Sequence, residues 1–330
     1  MQDLPFLIDA GELMEKKFEP SIWVVDGLLR MGRRRISLFN SLPEDGKSTN
    51  SRQLAVSVAK GEPFLGRDTR RCPVLYWQCE DEPEDLQESL LRLRYDPKTD
   101  ERIIIFRGRA DQNTLDNFDA TLKAFPLIGL VIIETLDDLL KVQDILSNTA
   151  AREAFEAFDN VFAKHAHRAA CLALHHLKKT ENKNDSGRDI LGATVLRGRT
   201  DAKWYLHKAE DKRRIFEATI RRGRPIEPTY LVFDPESESV TLGETYAEAC
   251  AASAGHNRER IEADILKYFN DHPGARFEDQ CRVLVTGNND AKRRAFKRLL
   301  AQGTLIQVSK GVKGQPAGYV VAEIPTEEAA

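Results

Sequence analysis

"SLFNSLPEDGKSTNSRQLA", residues 37–55, decides how the rest of the chain is read. It joins an apolar run, Ile36-Ser37-Leu38-Phe39, to a helical pattern over 47–59 through a turn ending Gly46-Lys47-Ser48-Thr49. Gly46 lets the backbone approach a phosphate, and Lys47 is a point charge for its oxygens. Ser48 offers a hydroxyl to Mg²⁺, and the helix N-terminus adds a favourable dipole. The usual spacing, G-x-x-x-x-G-K-[ST], puts a glycine where this chain has Ser41, and Glu44 and Asp45 stand where a triphosphate would run. A small residue can fit the loop's entry. Carboxylates repel a triphosphate unless they turn to solvent, which a loop that binds through backbone N–H groups permits. The stretch reads as a phosphate-binding loop, with a plain strand-turn-helix as the other reading.

Across the whole chain, 330 residues of which 41% are hydrophobic imply two domains with a sizeable core. A net charge of −3 excludes a uniformly basic chain, so any nucleic-acid surface is local. The five cysteines, Cys72, Cys79, Cys171, Cys250 and Cys281, never fall in a C-x-x-C spacing and read as buried reduced thiols. No cationic start precedes an apolar stretch, and no apolar run reaches membrane-spanning length. These features imply a soluble cytoplasmic protein with no membrane partner.

Apolar β-type runs at 36–39, 73–77, 103–106, 130–133 and 170–174 alternate with helical patterns at 47–59, 83–94, 114–124 and 150–166. Nearly continuous apolar strands separated by helices imply a mostly parallel sheet covered on both faces, an α/β fold. Its ligand site lies at the carboxyl ends of the strands. Residues 177–190 are polar without apolar period and read as a mobile loop. Segments 202–208, 214–221 and 229–233, with a further short strand after "FDPESESV", read as a β-meander on the edge of the same sheet.

The expected organisation is an N-terminal segment (1–22), a core (23–243), a linker over the small, weakly patterned residues 244–256, a second domain (257–322) and a tail (323–330). In the second domain Ile261, Ile265, Leu266 and Phe269 share a helical face. A short helix near 277–284 follows, then a helix over 289–302 with Ala295, Phe296, Leu299 and Leu300 inward. Leu305–Val308 and Gly318–Val321 read as a hairpin. Three helices and a hairpin describe a winged helix. Residues 257–314 carry twelve Lys/Arg against seven Asp/Glu, leaving the rest of the chain near −8. With Lys292, Arg293, Arg294, Lys297 and Arg298 outward, and Lys310 and Lys313 in the hairpin, the domain would lay a helix in a DNA major groove with cations on phosphate. A solvated basic face or a protein-binding module is the alternative.

Other polar residues follow the strands. Glu134 ends "LVIIE", where a Mg²⁺-side acid is needed; the usual acid is Asp, and the alternative is a solvated strand-end Glu. Glu80 and Asp81 follow "VLYWQC" and precede a helix beginning near Pro83. An acid there either orients an attacking water or caps the helix. His175 and His176 end the fifth strand, where a polar group can sense a γ-phosphate; satisfied imidazoles are the alternative. Adjacent histidines point opposite ways from a strand, which disfavours a zinc pair. Arg197, Arg199, Arg221, Arg222 and Arg224 lie beyond strands, placed to stabilise a transferring phosphoryl group or simply solvated at a sheet rim.

The order of these motifs resembles the RecA-like ATPases of the RepA type, the hexameric plasmid and phage replicative helicases and their relatives, over roughly residues 18–240. The resemblance is carried by "IWVVDGLLRMGRRRISLFNSLPEDGKST", "VAKGEPFLG", "VLYWQCEDEPEDL", "LVIIETLDDL", "LALHHLKK" and "GATVLRGRTDAKWYL". It implies a RecA-like P-loop core and DNA-dependent ATP hydrolysis, with ATP and Mg²⁺ as cofactors. Gly46, Lys47, Ser48 and Thr49 would hold phosphate, and Ser48 and Glu134 the metal. Glu80 would be the base for water, and His176 the γ-phosphate sensor. Arg222 and Arg224, an R-x-R, would reach a neighbouring subunit's nucleotide. Residues 177–190 and 197–199, with Lys178, Lys179, Arg197 and Arg199, would face single-stranded DNA in a ring, expected to be a hexamer. The implied role is a motor or loader in plasmid, phage or mobile-element replication or recombination, with an initiator or primase as further partner. A nucleotide-switched DNA-binding regulator, and a structural partner of a primase or initiator, are the alternative readings.

Overall fold

The computed structural model describes residues 9–18, 20–32, 36–78, 81–107, 114–135, 148–165, 169–177, 200–277, 285, 287–309 and 317–322. The chain divides into two units, Met1–Thr245 and Tyr246–Ala330.

The first unit opens with a short helix, α1 (Ala10–Glu15), and a small hairpin of β1 (Trp23–Val25) and β2 (Leu29–Arg30). Its body alternates β3 (Ile36–Ser41), α2 (Lys47–Lys60), β4 (Val74–Gln78), α3 (Pro83–Arg92), β5 (Ile103–Arg107), α4 (Thr114–Ala124), β6 (Leu130–Glu134), α5 (Asn148–His165) and β7 (Ala170–His176). Four more strands follow: β8 (Ala202–Lys208), β9 (Arg214–Ile220), β10 (Ile226–Asp234) and β11 (Ser239–Thr245). All but β1 and β2 join one nine-stranded sheet in the order β11-β10-β9-β8-β3-β7-β6-β4-β5. The six strands from β8 to β5 run parallel. The last three pairings, β8–β9, β9–β10 and β10–β11, are antiparallel.

The apolar runs are buried because helices cover both faces, and strand alternation sorts them. Phe39, Tyr76, Ile132 and Leu174 face α2, packing with its Leu54, Ala55 and Val58. The β1–β2 hairpin adds Val24, Val25, Leu28 and Leu29 to that core, which explains the apolar "IWVVDGLL". Leu38, Trp77, Ile133 and Ala173 face the other way, against α4 and α5. There an aromatic chain runs Trp77–Phe118–Phe158–Phe162 at centroid spacings of 5.6, 5.3 and 6.1 Å. Each such ring contributes on the order of 2 to 3 kcal/mol by leaving water. Cys72 and Cys171 are buried, and burial pushes the Cys72 thiol up to about 12. Cys250 is exposed, against the expectation of burial.

The expected meander forms. The expected linker does not: residues 246–256 are the start of α6 (Tyr246–Asp271), one helix of 26 residues. Its opening "YAEACAASAGH" lacks an apolar stripe, but alanine is the best helix former, and propensity sustains the helix where pattern is silent.

The second unit continues with α7 (Asn289–Ala301) and a hairpin of β12 (Leu305–Gln307) and β13 (Tyr319–Val321). Ile261, Ile265 and Phe269 of α6 meet Ala295, Phe296 and Leu299 of α7. Phe296 stacks on Phe277 at 4.0 Å and meets the Tyr319 edge at 4.8 Å. Asn288 caps α7 by accepting from the Asp290 backbone N–H at 2.8 Å. The short helix expected near 277–284 falls, after Phe277, outside the described residues, as do Lys310 and Lys313. Lys292 corrects an expectation. It is buried at 6% exposure rather than outward, because it lies one turn before Ala295 and Phe296 on the inward face of α7.

Candidate nucleotide site

The alternation that sorts the core also builds the site. Ser41, Gln78, Glu134 and His176 end β3, β4, β6 and β7, each two residues beyond a side chain that faces α2. All four therefore gather at the carboxyl edge, on the face where α2 begins.

The loop closes between Ser41 and Lys47. Ser41 is an ordinary strand residue, paired with His176 and Leu206, so the position makes no demand for glycine. The left-handed turns fall later, at Glu44 (φ 64) and Gly46 (φ 101). Gly46 caps α2 in a conformation that a Cβ would strain. Lys47 is buried and folds back over the loop. Its Nζ donates to Ser41 Oγ at 2.8 Å and to the carbonyls of Ser41 and Leu42 at 3.3 Å. It also lies 3.4 Å from His176 Nδ1. The ammonium is thus held by oxygens that a phosphate can replace.

The two loop acids do not face a ligand together. Glu44 is exposed, while Asp45 is 3% exposed and ion-paired to Lys208 Nζ at 3.4 Å. Arg214 holds the same turn by donating to the carbonyls of Asp45 and Glu44. Beside the loop lies a cleft of about 360 Å³ bounded by Thr49, Asn50, Arg213, Leu231, Phe233 and Val240. Gln53 of α2 ties its far wall to β11, donating to Val240 O at 3.0 Å and accepting from Val240 N at 2.7 Å. An apolar floor with cations at the rim, next to a phosphate loop, suits a nucleoside. Lys212, Arg213 and Arg214 were not legible as site residues: they fall between and at the start of two expected strands, 202–208 and 214–221, and only the pairing of those strands beside β3 brings them next to Gly46.

Glu134 is 1% exposed. Ser48 Oγ donates to its Oε1, and Tyr76 Oη donates to its Oε2 at 2.7 Å. Burial raises its carboxyl above the ordinary value, while the two hydroxyl donors pull the other way. Arg52, five residues after Lys47, ion-pairs with Asp81. Burial works against the Arg52 charge, but the Asp81 and Glu134 carboxylates nearby more than offset it, so its pKa is held above the ordinary value. Ser48 and Glu134 supply hard oxygen donors side by side, a set that fits Mg²⁺ better than a softer ion.

His176 sits at the loop, whereas its neighbour His175 is fully buried on the opposite face. Among the described residues no cluster of three or more His, Cys, Asp or Glu could hold a further metal. Glu80, Lys178, Lys179, Arg197 and Arg199 lie outside the described residues. Arg222 is exposed in the β9–β10 turn. Arg224, two residues on, ion-pairs with Asp26 of the same chain and packs over Gly27. That turn lies at the far end of the sheet. Ile220 pairs with Ala202 at the start of β8, while Arg214 pairs with Lys208 at its loop-side end. Seven strand residues separate the two ends by about 20 Å. Neither Arg222 nor Arg224 reaches its own loop. In the second unit Arg293, Arg294 and Lys297 are exposed, while Arg298 donates to Glu262 at 2.8 Å.

A parallel sheet, a Gly-Lys-Ser loop opening a helix, and a buried acid at a neighbouring strand tip define a P-loop nucleotide-binding domain. The chain belongs to the AAA domain family, whose model matches residues 3–182, more than half of its length. Membership places the first unit among nucleotide-binding domains of the ATPase type. A comparison with curated proteins returned no match. Among the described residues no helix is long and apolar enough to cross a membrane.

Proposed function

We propose that the protein is an ATP- and Mg²⁺-dependent motor or loader that acts on DNA in the replication or recombination of a plasmid, phage or mobile element. The observation that carries this reading is the convergence of Lys47, Ser48, Glu134 and His176 on one edge of one sheet face. In this scheme Lys47 leaves the carbonyls of its own loop for the β and γ oxygens, and the α2 N-terminus faces the phosphates. Ser48 and Glu134 hold the metal, which when bound neutralises charge building on the phosphates. His176, beside Lys47, senses whether a γ-phosphate is present. Glu80 takes the proton from the attacking water.

Arg222 then acts across a subunit boundary, because its end of the sheet is remote from its own loop. A closed ring, expected to be a hexamer, repeats that contact. Loops 177–190 and 197–199 face single-stranded DNA in the ring, through Lys178, Lys179, Arg197 and Arg199. The second unit works as a winged helix on duplex, with Arg293, Arg294 and Lys297 on phosphate. Arg298, tied to Glu262, and the buried Lys292 take no part in that face. An initiator or primase is a further partner.

Hydrolysis measured with and without single-stranded DNA tests this. A motor shows DNA-stimulated turnover that is lost in Lys47→Ala and in Glu80→Gln. A second reading, a nucleotide-switched regulator with negligible turnover, is favoured by Lys47 being engaged by Ser41 and Leu42. Tight nucleotide binding without single-turnover hydrolysis selects that reading. DNA affinity unchanged by charge reversal at Arg293, Arg294 and Lys297 selects a structural partner of a primase or initiator instead.

A further inference from the structure

Tyr76 lies in the middle of an apolar strand, 1% exposed, and a phenol enclosed there needs hydrogen-bond partners. It has two from different elements: Ser51 Oγ of α2 at 2.7 Å and Glu134 Oε2 of β6 at 2.7 Å. The proton count closes. Ser48 gives its hydroxyl proton to one oxygen of Glu134 and Tyr76 gives its own to the other. Ser51 donates to Tyr76 Oη or to the Ser48 carbonyl, 2.9 Å away. Each carboxylate oxygen is therefore met by one donor, and the carboxylate plane is fixed from two sides.

That arrangement answers the oddity of Glu134. A glutamate carries one more rotatable bond than the aspartate usual at this strand end, so an untethered carboxylate swings away from Ser48 at little cost. Tyr76 points along β4 toward the tip of the adjacent β6, where Gln78 and Glu134 are register partners. Its ring packs in the core under α2, and only its hydroxyl enters the site.

We infer that Tyr76 is a positioning residue for Glu134: its hydroxyl holds the longer side chain beside Ser48, where a nucleotide-bound Mg²⁺ is held. The inference rests on the nucleotide-binding reading above. Tyr76→Phe keeps the ring and removes only the donor.

The test is the affinity of the full chain for a labelled ATP analogue, measured in Mg²⁺ and in chelator. In the wild type, Mg²⁺ tightens binding. In Tyr76→Phe the chelator affinity is unchanged and the Mg²⁺-dependent tightening falls by about tenfold, as for loss of a residue that orients a metal ligand. In a Glu134→Asp background, where the shorter acid no longer reaches the phenol, Tyr76→Phe changes nothing further. An intact Mg²⁺ effect in Tyr76→Phe overturns the inference and leaves the nucleotide reading standing. So does an equal loss in both backgrounds, or a loss in chelator as well, since either marks a purely structural role. A wild type that binds the analogue equally in Mg²⁺ and in chelator overturns the inference alone, and a wild type that binds no analogue overturns both.

Discussion

Strand β9 carries a cationic turn at each end, and the two differ in every respect that matters for function. At its start Arg213 and Arg214 are knitted into their surroundings. Arg214 holds the phosphate loop's carbonyls, and Arg213 stacks on Tyr230 at 3.5 Å while pairing with Asp211 and Glu244 at 2.8 Å each. At its end Arg224 is tied to Asp26, and Arg222 is exposed. The first turn is local to the site of its own chain. The second sits a sheet's height away, out of reach of its own loop, and the catalytic use proposed for it needs a neighbouring copy. Charge in a sequence says nothing of which end of a sheet it occupies; the register of one antiparallel strand decides it.

The largest expected effect separates the two turns outright. Arg222→Ala lowers turnover by about a thousandfold, the magnitude typical of an arginine supplied to phosphoryl transfer, and leaves nucleotide affinity unchanged. Mixing Arg222→Ala with Lys47→Ala chains restores part of the activity, since one supplies the loop and the other the arginine. Full turnover in Arg222→Ala would leave the far turn without a catalytic role. A smaller effect belongs to the other turn. Arg214→Ala weakens nucleotide binding by roughly tenfold, in line with losing a charged hydrogen-bond donor, in dilute single chains as well as in assemblies. Smallest is Arg224→Ala, which removes an exposed ion pair. It costs about 1 kcal/mol or less in a thermal melt and leaves binding unaltered. A loss of turnover in Arg224→Ala at unchanged stability would move the catalytic role from Arg222 to its neighbour.

The same contrast explains what could be read from residues alone. The apolar runs at 36–39, 74–77 and 130–133 declare a buried parallel sheet, because both of their faces are covered and the pattern is continuous. Glu134 and His176 were legible because polar residues at the ends of such runs lie at its carboxyl edge, and Lys47 and Ser48 because a Gly-Lys-Ser turn opens the helix that follows the first run. Tyr76 was hidden inside "VLYWQ", where an aromatic reads as core and its hydroxyl partners, Ser51 and Glu134, are remote in sequence. Arg214 and Lys208 were hidden by register: both act at the loop only once β8 lies beside β3 and β9 beside β8. Lys292 was misread because cationic residues look outward, although its spacing to Ala295 and Phe296 already placed it on the inward face. In residues 246–256, alanine propensity built a helix that no apolar period announced.

Every role proposed for the first unit requires that the turn around Lys47 take the phosphate tail of ATP with Mg²⁺. Titration of the full chain with labelled ATP, in Mg²⁺ and in chelator, tests it most directly. The expected result is saturable binding well below millimolar ligand, tighter with Mg²⁺ and lost in Lys47→Ala. Absence of binding by the wild type at millimolar ATP, or equal binding by Lys47→Ala, would contradict it.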